Sequence, residues 1–385
     1  MRLEPFQMER LQSLWEHRVA WNLSESGVEP LRLEELADTE EDRLSLFKQE
    51  LAYTQTNGTI DLRAAIAALY PGATADHIEV TNGGSEANCI ALWQLLDPGD
   101  EMVIMTPNYM QARGLARGLG AAVRDWPLAY RTAVQDDSTR SDAAGRWIAD
   151  VAALDAVVTP QTKVIAICNP NNPTGAALTE ADLDAICATA SRVGAWVLSD
   201  EIYRGAERED VETPSMWGRY DRTLVTSGLS KAYGLPGLRI GWIAGPPQLV
   251  ETLWGVHDYT TIAPGALNDR LARMAFARRE RLLARSRGII RSNYAIVRKW
   301  IEKRDGTLSH AAPDAGAIAF IRYHHAINST ALIERLRDEQ SVLVVPGDHF
   351  EMDGYIRLGF GSHPALLTGA LERVAELLDT IPIAR

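Results

Sequence analysis

Cysteine is scarce in this chain, three in 385 residues, and that leaves little for a covalent or metal scaffold. Cys89, Cys168 and Cys187 are widely separated, odd in number and without paired spacing, so each is expected as a free thiol buried in an apolar stretch. The histidines His17, His257, His349 and the pair His324-His325 also lack metal-ligand spacing and read as core or surface residues, so no metal is expected. No run approaches the roughly 20 apolar residues of a membrane span, and the first ten residues hold no apolar core of a secretion signal. A cytoplasmic location is therefore expected. Basic charge is short too: 39 Lys and Arg against 51 Asp and Glu give a formal charge of −12, which disfavours gripping nucleic acid or anionic membrane and leaves small molecules as the expected partners. Neither a Gly-x-Gly-x-x-Gly fingerprint nor a Walker-type loop occurs, which weakens nicotinamide and nucleoside-triphosphate readings. Internal repeats and low-complexity tracts are missing as well.

What the chain has is an ordinary core-forming composition, 46% hydrophobic and 23% charged, over a length suited to roughly two domains. From Ile78 onwards, short apolar runs alternate with amphipathic stretches. Strands are expected at Ile78–Thr81, Met102–Met105, Ala121–Trp126, Lys163–Cys168, Ala195–Ser199, Thr223–Ser227 and Arg239–Ala244, with helices at Ser85–Leu96, Met110–Leu119 and Thr179–Val193. That rhythm predicts an α/β fold, a mostly parallel sheet between helices. The polar segment Gln135–Arg146 reads as an exposed loop. Beyond Pro264 a long Arg-rich helix is expected to run towards Lys303, with Gly288 as the candidate break. Short strands (Ala317–Arg322, Ser341–Val345, Tyr355–Leu358) and helices (Thr330–Glu339, Pro364–Leu378) then predict a smaller α+β domain. The expected boundaries are an N-terminal segment, 1–45, packing on the small domain, a large domain, 46–280, and a small C-terminal domain, 281–385.

In open α/β sheets, ligands bind beyond the carboxyl ends of the strands. Lys231 lies in such a place, in a glycine-rich turn after an apolar strand and with no charged sequence neighbour before Arg239. A lone amine in dry surroundings is a candidate nucleophile able to hold an aldehyde cofactor as a Schiff base. Asp200 ends another apolar strand; it is either a turn-capping aspartate or a carboxylate that keeps a pyridine nitrogen protonated. Tyr203, three residues on, either packs in the core or reaches the phenolic oxygen of the same ring. The turn Thr81-Asn82-Gly83-Gly84-Ser85 joins a strand to a helix start, where free N–H groups and the serine hydroxyl suit a phosphate, although glycine-rich turns are common. In Asn169-Pro170-Asn171-Asn172-Pro173-Thr174-Gly175, Asn172 is the natural donor to an anionic oxygen, with a plain turn as the alternative. Arg239 and Arg357 sit in apolar sequence and need anionic partners, either a structural carboxylate or a ligand: the cofactor phosphate for Arg239, a substrate carboxylate for Arg357.

Four strings, residues 169–175, 199–203, 228–242 and 357–360, in this order and spacing, resemble the class I/II aminotransferases, pyridoxal-phosphate enzymes of fold type I related to aspartate aminotransferase. The resemblance covers nearly the whole chain. It implies pyridoxal 5'-phosphate as cofactor, Lys231 as the catalytic Schiff-base lysine, and transfer of an amino group from an L-amino acid to a 2-keto acid. It further implies Asp200 as pyridinium partner, Asn172 and Tyr203 as donors to the ring oxygen, and Tyr109 as the stacking aromatic. Gly84, Ser85 and Arg239 then bind phosphate, and Arg357 the substrate carboxylate. Tyr53, in a Tyr-x4-Gly-x3-Leu-Arg string, resembles the tyrosine that reaches the phosphate of a neighbouring subunit, which implies a homodimer with shared sites. One departure stands out: where many relatives have a phosphate-binding serine this chain has Gly228, leaving Ser230 or Ser227 as the substitute. Residues 22–28 resemble the substrate-covering stretch of relatives, with Gly27 approaching the ligand. Their Ser-x-Ser-Gly-Val opening is similar to the capreomycidine synthase-like branch, which acts on arginine-derived amino acids; Glu25 then faces either a cationic side chain or solvent. The same constellation also serves elimination and cyclisation, so a lyase or cyclase acting on a modified amino acid is the alternative. A non-enzymatic regulator would need a DNA-binding domain ahead of this fold, and the roughly 45 residues before the large domain carry no helix-turn-helix pattern.

Overall fold

The computed structural model describes residues 2–131 and 145–384. Its centre is a seven-stranded sheet in the order Ile78–Thr81, Gly241–Ala244, Thr223–Gly228, Trp196–Asp200, Thr162–Cys168, Glu101–Thr106, Ala122–Pro127. Every neighbouring pair is parallel except those made by Gly241–Ala244, which runs against both of its neighbours. Successive apolar residues feed opposite faces: Met102, Ile104, Val164 and Ala166 join one buried cluster, and Val103, Met105, Ile165 and Ile167 the other. Both faces being covered is why these strands read as continuous apolar runs rather than alternating ones. Helices Gly84–Leu95, Gln111–Leu119 and Pro247–His257 supply Leu92, Leu115 and Leu253 to the first cluster. Helix Glu180–Val193 supplies Leu183, Ile186 and Ala190 to the second. That helix begins where Thr179 accepts from the Asp182 N–H, a cap worth about 1 kcal/mol, and ends at Gly194 with φ 71°.

A second sheet, antiparallel, has the order Leu308–His310, Ile318–Tyr323, Tyr355–Gly359, Val345–Pro346. The expected strand Ser341–Val345 is divided, because its first half, Val342–Leu343, pairs in parallel with Trp21–Asn22 instead. The N-terminal segment continues along this region: Leu23 O accepts from Gly359 N at 2.8 Å, and Glu29 N donates to Gly361 O at 2.7 Å. By contrast, Asp38 and Asp42 take hydrogen bonds from Arg278, and Gln49 takes one from Arg270, so residues 38–49 lie against the helices near 270–280.

The long helix is broken, but not at Gly288. Ala266–Ala277 and Arg279–Glu302 are separate helices meeting at Arg278 (φ −115°, ψ 18°), whose side chain reaches Asp38 and Asp42. Gly288 stays inside the second helix on an exposed face, where its cost is about 1 kcal/mol relative to alanine. In the expected loop Gln135–Arg146, residues 135–144 fall outside the described residues; Arg146 itself begins a strand, Arg146–Ile148, paired with Ala129–Arg131. Among the described residues no helix is long and apolar enough to cross a membrane.

Candidate active site

At the carboxyl edge of the large sheet lies a cleft of about 490 Å³. Gly84, Ser85, Tyr109, Asn172, Asp200, Tyr203, Ser230, Lys231 and Arg239, residues spread over 156 positions of sequence, all line it. Lys231 enters from the turn after strand Thr223–Gly228. Its isolation in sequence does not persist in space: Glu25 Oε2 stands 3.7 Å from Nζ, delivered by the N-terminal segment. The charge of Lys231 is the main cause that holds the Glu25 carboxyl below its ordinary range, against the opposing effect of burial.

Gly83, at φ 102°, follows strand Ile78–Thr81 and opens helix Gly84–Leu95, whose first N–H groups have no intrahelical acceptor and whose first residues, Gly84 and Ser85, line the cleft. The φ of 102° favours glycine at position 83, and the Arg239 guanidinium lies over the turn, its Nη2 2.5 Å from where a Cβ would stand. Arg239 is not in a strand, as the sequence suggests. It sits exposed at φ 49° after a short 3-10 turn, and the strand starts at Gly241. Because that strand runs antiparallel, its amino end pairs Gly241 with Thr81 and Gly228, which places Arg239 at the same edge as the carboxyl ends of the others.

The departure at Gly228 has a steric reason. A Cβ there would stand 2.9 Å from Ile240 O and 3.1 Å from Ile202 Cδ1, leaving no room for serine. Of the two substitutes, Ser227 spends its hydroxyl on Glu201 O at 3.1 Å, whereas Ser230 lines the cleft.

Asp200 accepts from Asn88 Nδ2 at 2.8 Å and from the Ile202 N–H at 3.1 Å. Thr226 Oγ1 donates to Asn88 Oδ1 at 2.6 Å and so fixes which way that amide points. Burial pushes the Asp200 carboxyl up, and the Asn88 and Ile202 hydrogen bonds only partly oppose it. A cationic group opposite Asp200 would restore its charge. Burial likewise raises the phenols of Tyr109 and Tyr203, keeping both as neutral donors. Tyr109 O–H donates to Glu9 Oε1 at 2.9 Å.

Arg357 does not line the cleft directly. It is 1% exposed, donates to Asn172 Oδ1 at 3.0 Å and to Ser24 O at 2.5 Å, and has Met8 Sδ 3.3 Å from Nη1. No carboxylate lies within ion-pair range of it among the described residues. By taking the oxygen of Asn172, it leaves that amide's N–H groups for the cleft. Gly27 backs the lysine from behind: a Cβ there would meet Ser230 O at 3.4 Å and Lys231 Cδ at 3.6 Å. Tyr53 stands outside, 88% exposed.

Sequence reasoning missed Asn88 and the wall made by helix Gln7–Trp15. Asn88 was findable, since it follows Ser85 by three residues and so shares its helix face. Phe6, Met8, Glu9, Gln12, Ser13 and Glu16 line the cleft from a helix distant in sequence and free of any motif. With Glu25 they give the mouth three carboxylates. Burial, and next the charge of Glu25, raise the Glu16 carboxyl.

The family described as aminotransferase class I and II matches residues 21–374. Capreomycidine synthase of Streptomyces vinaceus is 32% identical over 319 residues, 83% of this chain and 79% of that protein. An aspartate aminotransferase of Streptomyces avermitilis is 29% identical, covering 85% and 81%. Among solved structures, a PLP-dependent aminotransferase from Streptococcus suis superposes with a TM-score of 0.90 at 32% identity over the full length of both chains. A PLP-dependent cyclase, OrfR, gives 0.85 at 26% identity, over 98% of each chain. A lysine, a buried carboxylate and a helix start share one cleft in a chain that the family matches over nearly its whole length, and that match makes this protein a member of the class I and II aminotransferases, with the fold type I architecture of PLP-dependent enzymes.

Proposed function

We propose that the cleft holds pyridoxal 5'-phosphate on Lys231 and passes an amino group from an L-amino acid to a 2-keto acid. The residues fit that cofactor. The side-chain-free turn at Gly83 under Arg239, with the helix N–H groups and Ser85 and Ser230, suits a phosphate, and the buried Asp200 suits a pyridinium. When bound, pyridoxal phosphate supplies an aldehyde for covalent attachment and a ring that takes up the electrons released as the substrate Cα–H bond breaks. Asn172 and Tyr203 would hold the ring oxygen by hydrogen bonds, and Tyr109 would pack against the ring. Lys231 carries the only side-chain amine on the wall, and its Nζ takes the proton from the substrate Cα. Arg357, a buried guanidinium without a carboxylate partner among the described residues, orients the substrate through its carboxylate once Met8 gives way.

Glu9, Glu16 and Glu25 at the mouth support an amino donor with a cationic side chain. A panel of amino donors at fixed keto-acid concentration tests this: basic amino acids should give the highest kcat/KM. Equal rates for acidic, aromatic and basic donors would remove the acidic-mouth reading. The same three carboxylates, with the similarity to capreomycidine synthase and to a PLP-dependent cyclase, favour a second reading, cyclisation of a cationic amino acid. Product formation without any keto acid separates it from transamination.

The proposed assembly is a cytoplasmic homodimer. Phe47, Leu51, Tyr53 and Tyr259 are each more than 80% exposed, and Leu33, Phe47 and Leu267 line one apolar groove, a surface suited to a second copy whose Tyr53 reaches the first copy's cradle.

A further inference from the structure

Behind the cradle lies a cluster that no step above uses. His257, at the end of helix Pro247–His257, is fully buried, with Nδ1 2.7 Å from Glu79 Oε1, itself fully buried on strand Ile78–Thr81. Its Nε2 lies 3.1 Å from Thr261 Oγ1 and 3.4 Å from Glu86 Oε2. Thr261 donates its hydroxyl proton to Glu86 Oε1 at 2.8 Å, so its oxygen can only accept from the imidazole. Both ring nitrogens thus lie against carboxylate or hydroxyl oxygens, an arrangement that favours the imidazolium. Burial opposes that charge, but the hydrogen bonds to Glu79 and Glu86 outweigh it and hold the pKa at about 9. Burial raises the Glu79 carboxyl to about 7, opposed by the hydrogen bond and charge of His257 and by the charge of Arg63, while Glu86 adds to the rise. Glu86 is in the first turn of the helix that starts at Gly84, and its Oε2 accepts from the Asn82 N–H at 2.6 Å, immediately before Gly83. Asn82 is held in turn by bonds from its Nδ2 to Thr261 Oγ1 and Ala263 O. A carboxylate beside an anion cradle opposes binding of the anion.

We propose that His257 is a positioning residue for the cofactor phosphate: it offsets the charge of Glu86 and pins that side chain back onto Asn82, which leaves the N–H groups of Gly84 and Ser85 clear for the anion. The role rests on the cradle being the phosphate site. The test compares pyridoxal phosphate with pyridoxal, which share the aldehyde and differ by the phosphate, in titrations of cofactor-free protein followed by tryptophan fluorescence. In wild type the phosphate ester should bind tighter; the absence of any such preference overturns the cradle reading and this role with it. His257→Gln should weaken binding of pyridoxal phosphate by about tenfold while changing that of pyridoxal by less than about twofold, and adding Glu86→Gln should restore the loss. Equal weakening of both ligands, no weakening, or no restoration by the second substitution overturns the proposal. Where circular dichroism shows His257→Gln unfolded, Glu86→Gln alone decides: preference for the phosphate ester should rise, and an unchanged or lower preference is the contrary result.

Discussion

At the residue scale, function rests on how a few side chains are held. Asp200 shows it best, because its carboxylate is kept in place by Asn88, which is itself oriented by Thr226. Asn88→Ala leaves Asp200 with the Ile202 N–H alone and shifts the carboxyl further towards its neutral form. The expected result is cofactor affinity lowered by about tenfold, read by absorbance titration, with the melting temperature of the cofactor-free protein lowered only slightly. Unchanged affinity would remove Asn88 from the account. Asp200, Asn172 and Lys231 were legible in sequence because each ends or closely follows an apolar strand within a motif. Glu9 was not, because a cleft wall made across a hundred positions leaves no local pattern, and Asn88 shows only in its place on the helix face of Ser85, its bond to Asp200 spanning 112 positions. Arg239 was legible as a residue and misread as strand, although Pro236 and Gly237 mark the short turn that ends in its left-handed conformation.

At the scale of elements, strand and helix positions on the large sheet follow from apolar period and turn residues, and the ends differ by a residue or two. The misread elements are those set by distant partners. Ser341–Val345 divides where Trp21–Asn22 pairs with half of it, and the long helix breaks at Arg278, whose side chain pairs with Asp38 and Asp42. Hydrogen bonds from Arg278 first, then Arg281, hold the Asp38 carboxyl down to about 2, below its ordinary 3.8. A depressed folded-state pKa means that this contribution is complete above about pH 4 and is lost as pH falls through about 2. Asp38→Asn should therefore lower the melting temperature at pH 6, with the gap to wild type closing as pH is lowered from 4 towards 2. A gap independent of pH would mean that the aspartate acts through packing and not through charge. The site is exposed, so the gap is expected to be small.

At the scale of the molecule, two sheets and an N-terminal segment meet at one cleft. Residues 21–29 run along the small sheet and set Glu25, Ser26 and Gly27 beside Lys231, so one segment joins the small sheet to the cleft wall. Tyr53 is the residue that this chain alone does not explain: it is exposed, yet its motif resembles one that binds phosphate. In the proposed dimer, Lys231→Ala and Tyr53→Ala proteins, each weak alone, should recover part of the wild-type rate when unfolded together and refolded, because one site of each mixed dimer is then intact. No recovery, with mixed dimers shown by mass spectrometry, would place Tyr53 outside the site.

The central claim is the covalent seat at Lys231. Five lysines occur in the chain, and Lys48, Lys163, Lys299 and Lys303 are all exposed and away from the cleft wall. Reducing the pyridoxal-phosphate-loaded protein with borohydride and mapping its peptides by mass spectrometry tests the claim most directly. The pyridoxyl mass should appear on the peptide containing Lys231 at close to one per chain, and Lys231→Ala should lose it together with turnover, by about a thousandfold or more. Label spread over the exposed lysines, or full activity without Lys231, would contradict the account.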